Sequence, residues 1–116
     1  MTSASYLQRG EALDYINSTN DTIPAGVVVE IGSRIGVTGT DILPGRVGSL
    51  HVCGVFEFAK TGSAAIPMGT PVYFDGDGIT AEADDGEDDP AAYTPAGYAA
   101  ASAAATDATI LVKING

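Results

Sequence analysis

The chain has few of the residues from which catalytic and metal sites are commonly built. Its 116 residues include one cysteine, Cys53, and one histidine, His51. A single cysteine excludes an intrachain disulfide framework and a zinc cluster made of thiolates. Because Cys53 stands inside the apolar stretch 50–58, we expect its side chain to be a small buried hydrophobe. This shortage predicts that function depends on surface, charge and assembly.

Positive charge is also scarce. Five Lys and Arg stand against 15 Asp and Glu, which gives a formal net charge of −10 at pH 7. So much negative charge repels phosphate backbones and anionic lipid, so we expect no nucleic acid and no membrane among the partners. The same charge keeps a free protein soluble at high concentration.

Long apolar runs are missing too. None reaches the ~20 residues that a spanning helix needs, and the N-terminus lacks the basic and apolar regions of a secretory signal. We therefore expect synthesis and action in a cytoplasm. The length suits one domain with one modest core. We predict a flexible N-terminal arm over residues 1–10, whose residues are small and polar, and a single β domain over residues 11–116 with an acidic loop at 83–92.

The clearest pattern present is strand alternation with a period of two. In the stretch 54–60, Phe56 and Phe58 fall on one face, and Val55 and Glu57 fall on the other. Glycine (15 residues) and proline (six residues) punctuate the chain, which favours short strands over long helices. The sequence predicts an all-β fold of short antiparallel strands, either a β-barrel or a β-sandwich.

Other segments of the chain are strand candidates for the same reason. They are residues 11–17, 27–31, 34–38, 48–60, 72–74, 79–82, 93–101 and 109–114. We expect the first to be a core strand. We expect a bend or bulge at Gly54, since glycine inside a strand usually marks one. Alanine is a poor strand former, so residues 99–105 are helical in the alternative interpretation.

One short pattern occurs three times, each time before a strand. An apolar residue and a proline are followed by a glycine, at 22–26, 40–45 and 66–69. The proline presets φ, the glycine accepts a left-handed conformation, and the apolar residue plugs one end of the fold. We interpret the pattern as recurring turn chemistry of a small β fold and not as proof of gene duplication.

Clustered carboxylates in the second half of the chain suit a hard cation. Asp75 and Asp77 are each followed by glycine, like the start of a calcium loop, and Glu82 comes soon after. The EF-hand pattern then fails, because the fifth and twelfth positions carry no oxygen donor. We interpret 75–78 as a hairpin turn and the acidic loop as a solvated connection. The sequence predicts no metal and no cofactor, with Asp75, Asp77 and Glu82 as the candidates for a weak cation site.

A nucleophilic centre would have to use His51. Cys53 falls on the same strand face two positions later, but no helix N-terminus or glycine-rich elbow presents its thiol. The sequence also lacks a phosphate-binding loop. We therefore predict that the protein is not an enzyme. The alternative is a small hydrolase or metal-dependent enzyme that uses Asp75, Asp77 and His51.

Several phrases of the sequence, taken together, resemble a known family. They are 23–29, 36–37 with 42–45, 54–60, 69–75 and 96–99, and they consist of the glycine, proline and aromatic positions of a β fold. From about Gln8 to Gly116 the chain resembles the small phage and prophage capsid decoration proteins, also called cement proteins, long treated as a domain of unknown function.

The resemblance implies a structural subunit on the exterior of the virion capsid, made in the cytoplasm of the bacterial host. Such subunits commonly sit as a homo-trimer on the expanded head and clamp neighbouring copies of the major capsid protein against internal DNA pressure. We expect the shell contact in the N-terminal arm, at Thr2, Ser3, Ser5, Tyr6, Leu7, Gln8 and Arg9. The alternative is a surface-exposed module that binds a host or a glycan through Tyr93 and Tyr98.

Overall fold

The residues that the structure describes form nine short strands. The structure, a computed structural model, describes residues 3–5, 10–88 and 91–115, and these residues contain no helix. The strands are β1 (Ala12–Ile16), β2 (Val28–Ile31), β3 (Arg34–Thr38), β4 (Val47–His51), β5 (Val55–Ala59), β6 (Pro71–Phe74), β7 (Ile79–Thr80), β8 (Thr94–Ala99) and β9 (Thr109–Ile114). The all-β prediction is confirmed, and the helical alternative for 99–105 is wrong.

The strands form two antiparallel sheets. The first has the order β1-β4-β3-β2 and the second has the order β5-β9-β8-β6-β7. The sheets meet where β3 contacts β8, and the described residues form a sandwich-like fold with no closed barrel. None of the described residues belongs to a helix long and apolar enough to cross a membrane.

Both sheets are built on one plan. Without β7, the second sheet also has four strands. Counted along the chain, the strands of each sheet then lie in the order first, fourth, third, second from one edge to the other. The registers agree as well, because Ala12 lies opposite His51 in the first sheet as Val55 lies opposite Lys113 in the second. The chain is thus a structural repeat. We call residues 12–52 the N-terminal unit and residues 55–114 the C-terminal unit.

The recurring turns occupy equivalent places in this repeat. Ile23 bridges to Ile42 in the N-terminal unit, and Ile66 bridges to Ala103 in the C-terminal unit. Ile42 and Ile66 are buried, as expected of residues that plug one end of the fold. Ile23 is only half-buried, and Leu43, directly before Pro44, is 58% exposed, so the expectation holds for only part of the pattern. The turn after Ala103 is a fourth copy that the sequence did not indicate, because it contains neither proline nor glycine.

Most of the hydrophobic core belongs to the C-terminal unit. From the N-terminal unit, Ile35 and Val37 of β3 join it. Its other buried members are Phe58, Ile66, Val72, Ile79, Ala96, Ala99, Ala103, Ile110, Val112 and Ile114. The large side chains of this unit therefore stabilise the fold of the whole chain.

The N-terminal unit buries a second, smaller set of side chains, of which Leu50 and Ile42 are each 1% exposed. These side chains pack against glycines. A Cβ on Gly36 would lie 2.5 Å from Cγ of Leu50, and a Cβ on Gly48 would overlap Cγ1 of Ile42. The close approach explains why the sequence has glycine at two positions inside strands.

The predicted long strand 48–60 is wrong as one strand. It is divided into β4 and β5, which belong to different sheets. The expected bend at Gly54 is present, with φ at +118°. The chain leaves the first sheet at Val52 and enters the second at Val55, so this segment joins the two units.

The expectation of a core strand at 11–17 is also wrong. β1 forms at this position, but it is the edge strand of the first sheet. Leu13 is 39% exposed and Ile16 is 61% exposed. The buried residue of this segment is Asn17, whose side-chain amide donates to the carbonyl oxygens of Asp21 at 2.7 Å and Ile42 at 2.8 Å.

Candidate functional site

The clearest difference between the two units is an insertion in the C-terminal unit. In the N-terminal unit, residues 32–33 alone connect β2 to β3, whereas residues 75–93 connect the equivalent strands β6 and β8. The insertion contains β7 and the acidic loop, and eight of the 15 acidic residues of the chain lie in it. Its charge therefore places a strong negative field on one part of the C-terminal unit.

Asp75 organises the hairpin turn predicted at 75–78. Its Oδ1 accepts the backbone N–H groups of Asp77 at 2.9 Å and Gly78 at 2.8 Å, and its Oδ2 accepts the hydroxyl of Thr61 at 2.6 Å. Burial alone raises the pKa of Asp75, but these hydrogen bonds outweigh it and lower the pKa below its ordinary value of 3.8. Both carboxylate oxygens of Asp75 thus bind donors of the protein itself.

The other cation candidates do not gather around Asp75. Asp77 and Glu82 are exposed. In the acidic loop, Oδ1 of Asp84 accepts the N–H of Gly86 at 2.9 Å, which is again a turn-forming contact. Among the residues that the structure describes, no three His, Cys, Asp or Glu side chains are placed to hold a metal ion.

Tyr93 lies within the field of the acidic residues. Burial and then the charges of Asp85, Asp75, Asp84 and Asp77 raise the pKa of its phenol above 10.0. Tyr98 lies at the other end of β8, opposite Pro71 and Lys113. Tyr93 thus lies directly before β8 and Tyr98 lies near its far end, so the two tyrosines of the alternative binding module flank opposite ends of this strand.

His51 and Cys53 do not form a nucleophilic pair. The imidazole of His51 packs against Phe56, with ring centroids 6.0 Å apart and planes tilted by 42°. Cys53 is exposed, so the expected buried thiol is wrong. It lies on the segment between β4 and β5, outside both sheets. No hydrogen bond between described residues joins His51 to Cys53, Asp75 or Asp77.

Exposed apolar side chains are concentrated in the N-terminal unit. Ile16 of β1 and Val47 of β4 lie opposite each other and are 61% and 58% exposed. Over the described residues, this unit contributes five of the eight large exposed hydrophobic side chains: Leu13, Ile16, Val27, Leu43 and Val47. Exposed apolar surface of this kind favours protein contact. The sequence did not indicate it, because the exposure of β1 and β4 depends on the order of strands in the sheet.

A shallow cleft of about 420 Å³ lies where the two units meet. Its lining residues are Ser33, Arg34, Pro95, Gly97 and Asn115. Asn115 donates its side-chain N–H groups to the carbonyl oxygens of Ile35 at 2.8 Å and Val52 at 3.0 Å. The end of the C-terminal unit is therefore tied to two places in the N-terminal unit.

The predicted shell-contact residues fall mostly outside the described chain. Ser3 and Ser5 are exposed and belong to no strand. Thr2 and residues 6–9 lie outside the described residues, so these predictions are neither confirmed nor contradicted.

A comparison with known proteins identifies the family. The family model for phage cement proteins matches residues 7–114, which include both units and the acidic insertion. Neither a curated protein nor a solved structure matches the chain. The resemblance inferred from the glycine, proline and aromatic positions is thus confirmed. The chain belongs to the phage cement protein family, a family of structural proteins associated with the capsid.

Proposed function

We propose that the protein binds the outside of the expanded phage head and stabilises it. The observation that carries this proposal is the family match over residues 7–114. The division of the surface supports it. Ten of the 15 acidic residues belong to the C-terminal unit and four belong to the N-terminal unit, while the exposed apolar side chains favour the N-terminal unit. We infer that the N-terminal unit faces the shell and that the acidic insertion faces water.

Stabilisation follows from preferential binding. A protein that binds the expanded shell, but not the unexpanded precursor, shifts the equilibrium towards the expanded state by mass action. At a free concentration of 100 times Kd, each occupied site contributes about 2.7 kcal/mol. Many sites on one head add their contributions, so weak binding per copy is sufficient. No catalytic step is required.

We assign the shell contact in part to the N-terminal arm. The contact residues are Thr2, Ser3, Ser5, Tyr6, Leu7, Gln8 and Arg9. Residues 2–9 contain no glycine or proline, so this segment suits an extended strand that pairs with a sheet edge of the major capsid protein. A homo-trimer on the capsid, with one arm per copy, would give each decoration site three such contacts.

Deletion of residues 2–9 tests the arm. We expect the shortened protein to fold, because both units lie outside the deletion, and to lose binding to expanded heads. A matched control replaces Asp84 and Asp85 with asparagine, which keeps the turn-forming oxygens and should leave binding unchanged. Undiminished binding of the shortened protein would remove the arm from the contact.

Co-sedimentation tests the function itself. The purified protein is mixed with expanded heads that lack it and, separately, with unexpanded precursor shells. Saturable binding to expanded heads alone, at a whole number of copies per capsid subunit, is the expected result. Absence of binding to both particles would overturn the proposed function.

A further inference from the structure

The N-terminal unit has no counterpart of β7 among the described residues, so the outer edge of β2 is uncovered. In the C-terminal unit, β7 covers the outer side of β6, with Thr80 opposite Tyr73 and Ile79 opposite Phe74. The equivalent strand β2 stands at the end of its sheet, with no described strand beyond it. The two units thus differ at this edge because one has the β6–β8 insertion and the other has a two-residue turn.

Backbone groups of β2 point towards the open side. Thr38 donates its N–H to the carbonyl oxygen of Val27 at 3.0 Å, so Val27 is directed towards β3. Because neighbours along an antiparallel strand alternate in direction, Val28 and Glu30 direct their N–H and C=O groups away from β3. Within the described part of the chain, no hydrogen bond takes up these outward groups.

The C-terminal unit protects the same position with a proline. Pro71 lies opposite Tyr98 as Val28 lies opposite Val37, and proline has no N–H to offer. Proteins commonly protect sheet edges with proline, lysine or a covering segment. β2 has none of these, and its sequence, Val28 to Ile31, contains three β-branched residues, which favour strand pairing.

We propose that the open edge of β2 receives an extended segment of the shell protein, paired antiparallel in the position that β7 takes beside β6. This inference rests on the proposed function and adds a contact separate from the arm. The β7 strand indicates the chemistry of the segment. The incoming segment places an apolar residue opposite Ile31, as Ile79 lies opposite Phe74. It places a basic or hydroxyl residue opposite the exposed Glu30, as Thr80 lies opposite Tyr73.

Charge favours the shell protein over a second copy of this chain. Each copy carries a net charge of −10, which disfavours an additional contact between the β2 edges of two copies. Pairing of β2 with a second β2 would also bring two Glu30 carboxylates into one four-residue ladder. A shell segment with a basic residue instead meets Glu30 with opposite charge.

The test uses Val28→Pro. The substitution removes one outward N–H and obstructs an incoming strand, while Pro71 shows that the strand accepts proline at this position. We expect a folded protein by circular dichroism and binding to expanded heads weakened about tenfold or more. Val28→Thr keeps the N–H and the β-branched shape, so it is the matched control and should bind like the unmodified protein.

Hydrogen–deuterium exchange gives a second measurement that needs no substitution. On binding to expanded heads, the amides of Val28 and Glu30 should exchange at least about tenfold more slowly, as expected for newly formed strand hydrogen bonds. The amide of Glu57 is the internal reference. Lys60 donates its N–H towards β9, and these directions alternate along the edge strand β5. Glu57, three residues before Lys60, therefore directs its N–H away from β9.

The outcomes separate this inference from the proposed function. If the unmodified protein and Val28→Pro bind heads equally and neither amide gains protection, β2 is not the contact and the cement role stands. If the unmodified protein binds no head, the function and the inference fall together. If Val28→Pro does not fold, the exchange measurement on the unmodified protein replaces it. Slower exchange of Val28 and Glu30 on binding then supports the contact at β2, and unchanged exchange overturns it.

Discussion

The two units share a strand plan but differ in what they bury. In the C-terminal unit, Phe58 of β5 is 6% exposed and belongs to the main core. Its counterpart in β1 is Tyr15, which lies opposite Gly48 as Phe58 lies opposite Ile110, and Tyr15 is only half-buried. One unit thus supplies most of the core that holds the fold together, while the other leaves apolar surface and the outer edge of β2 uncovered.

The difference has a simple basis in side-chain size. Ile42 packs against Gly48 in the N-terminal unit, and the equivalent residues of the C-terminal unit are Ala103 and Ile110. The large residue and the small residue of the pair thus exchange places between the units. The C-terminal unit adds Ile79 from its insertion, which is fully buried. With the insertion absent, the N-terminal unit has fewer side chains to cover its sheet.

The largest expected effect comes from equivalent aromatic residues. Phe58→Ala should lower the free energy of unfolding by about 3–5 kcal/mol, because it leaves a cavity in the main core. Tyr15→Ala should cost about 1–2 kcal/mol, since half of that side chain is already in water. Urea unfolding of both variants measures the two losses of unfolding free energy. Equal losses would mean that the two units share the core evenly.

Equivalent glycines give the next comparison. Gly97 has φ at +135° and an added Cβ would overlap the carbonyl oxygen of Lys113, whereas an added Cβ on Gly36 would meet the side chain of Leu50. A backbone atom cannot move aside as a side chain can. We expect Gly97→Ala to cost about 3 kcal/mol or more and Gly36→Ala about 1–2 kcal/mol.

Thermal unfolding measures both glycine variants. The comparison would be contradicted by a larger loss for Gly36→Ala, which would show that Leu50 is held more rigidly than the β8–β9 pairing.

The smallest expected effect is the loss of stability at acid pH that is due to Asp75, in the turn after β6. Hydrogen bonds lower the pKa of Asp75 in the folded state below its ordinary value of 3.8. The stability due to the carboxylate is therefore present above pH 3.8 and is lost as the pH falls through the folded-state pKa. Asp75→Asn should be less stable than the unmodified protein near neutral pH, and the difference should shrink below that value.

Melting temperatures at a series of pH values test this prediction. Ser33→Ala, in the corresponding turn of the N-terminal unit, is the control and should differ from the unmodified protein by the same amount at each pH. A difference for Asp75→Asn that stays constant down to acid pH would contradict the role assigned to its charge.

Local patterns predicted much of this architecture. The alternation at 55–59 and 109–114 and the proline–glycine turns are properties of neighbouring residues, and these elements formed as expected. Sheet membership is not local. Alternation continues through Gly54, so the pattern cannot show that β4 and β5 belong to different sheets. The exposure of β1 and of Cys53 depends on the same non-local order.

The candidate contact surface was less predictable than the fold. The edge position of β2 follows from the order of strands in the sheet, and its lack of protection becomes clear when Val28 is matched with Pro71 through the repeat. The three Ile-Pro or Leu-Pro turns are sequence features of this repeat, but the fourth turn, after Ala103, contains neither proline nor glycine. The family, by contrast, was predictable because its glycine, proline and aromatic positions are spread over the whole chain.

The side chain of Asn115 has a mechanical consequence. The two units are joined covalently at residues 53–54 and by the packing of β3 on β8, and Asn115 adds hydrogen bonds to the carbonyl oxygens of Ile35 and Val52. Tension between the units would thus be shared by the peptide chain, the packing of β3 on β8 and the hydrogen bonds of a side chain that follows the last strand. In the role proposed above, on the outside of a filled head, these contacts would oppose a hinge motion between the two units.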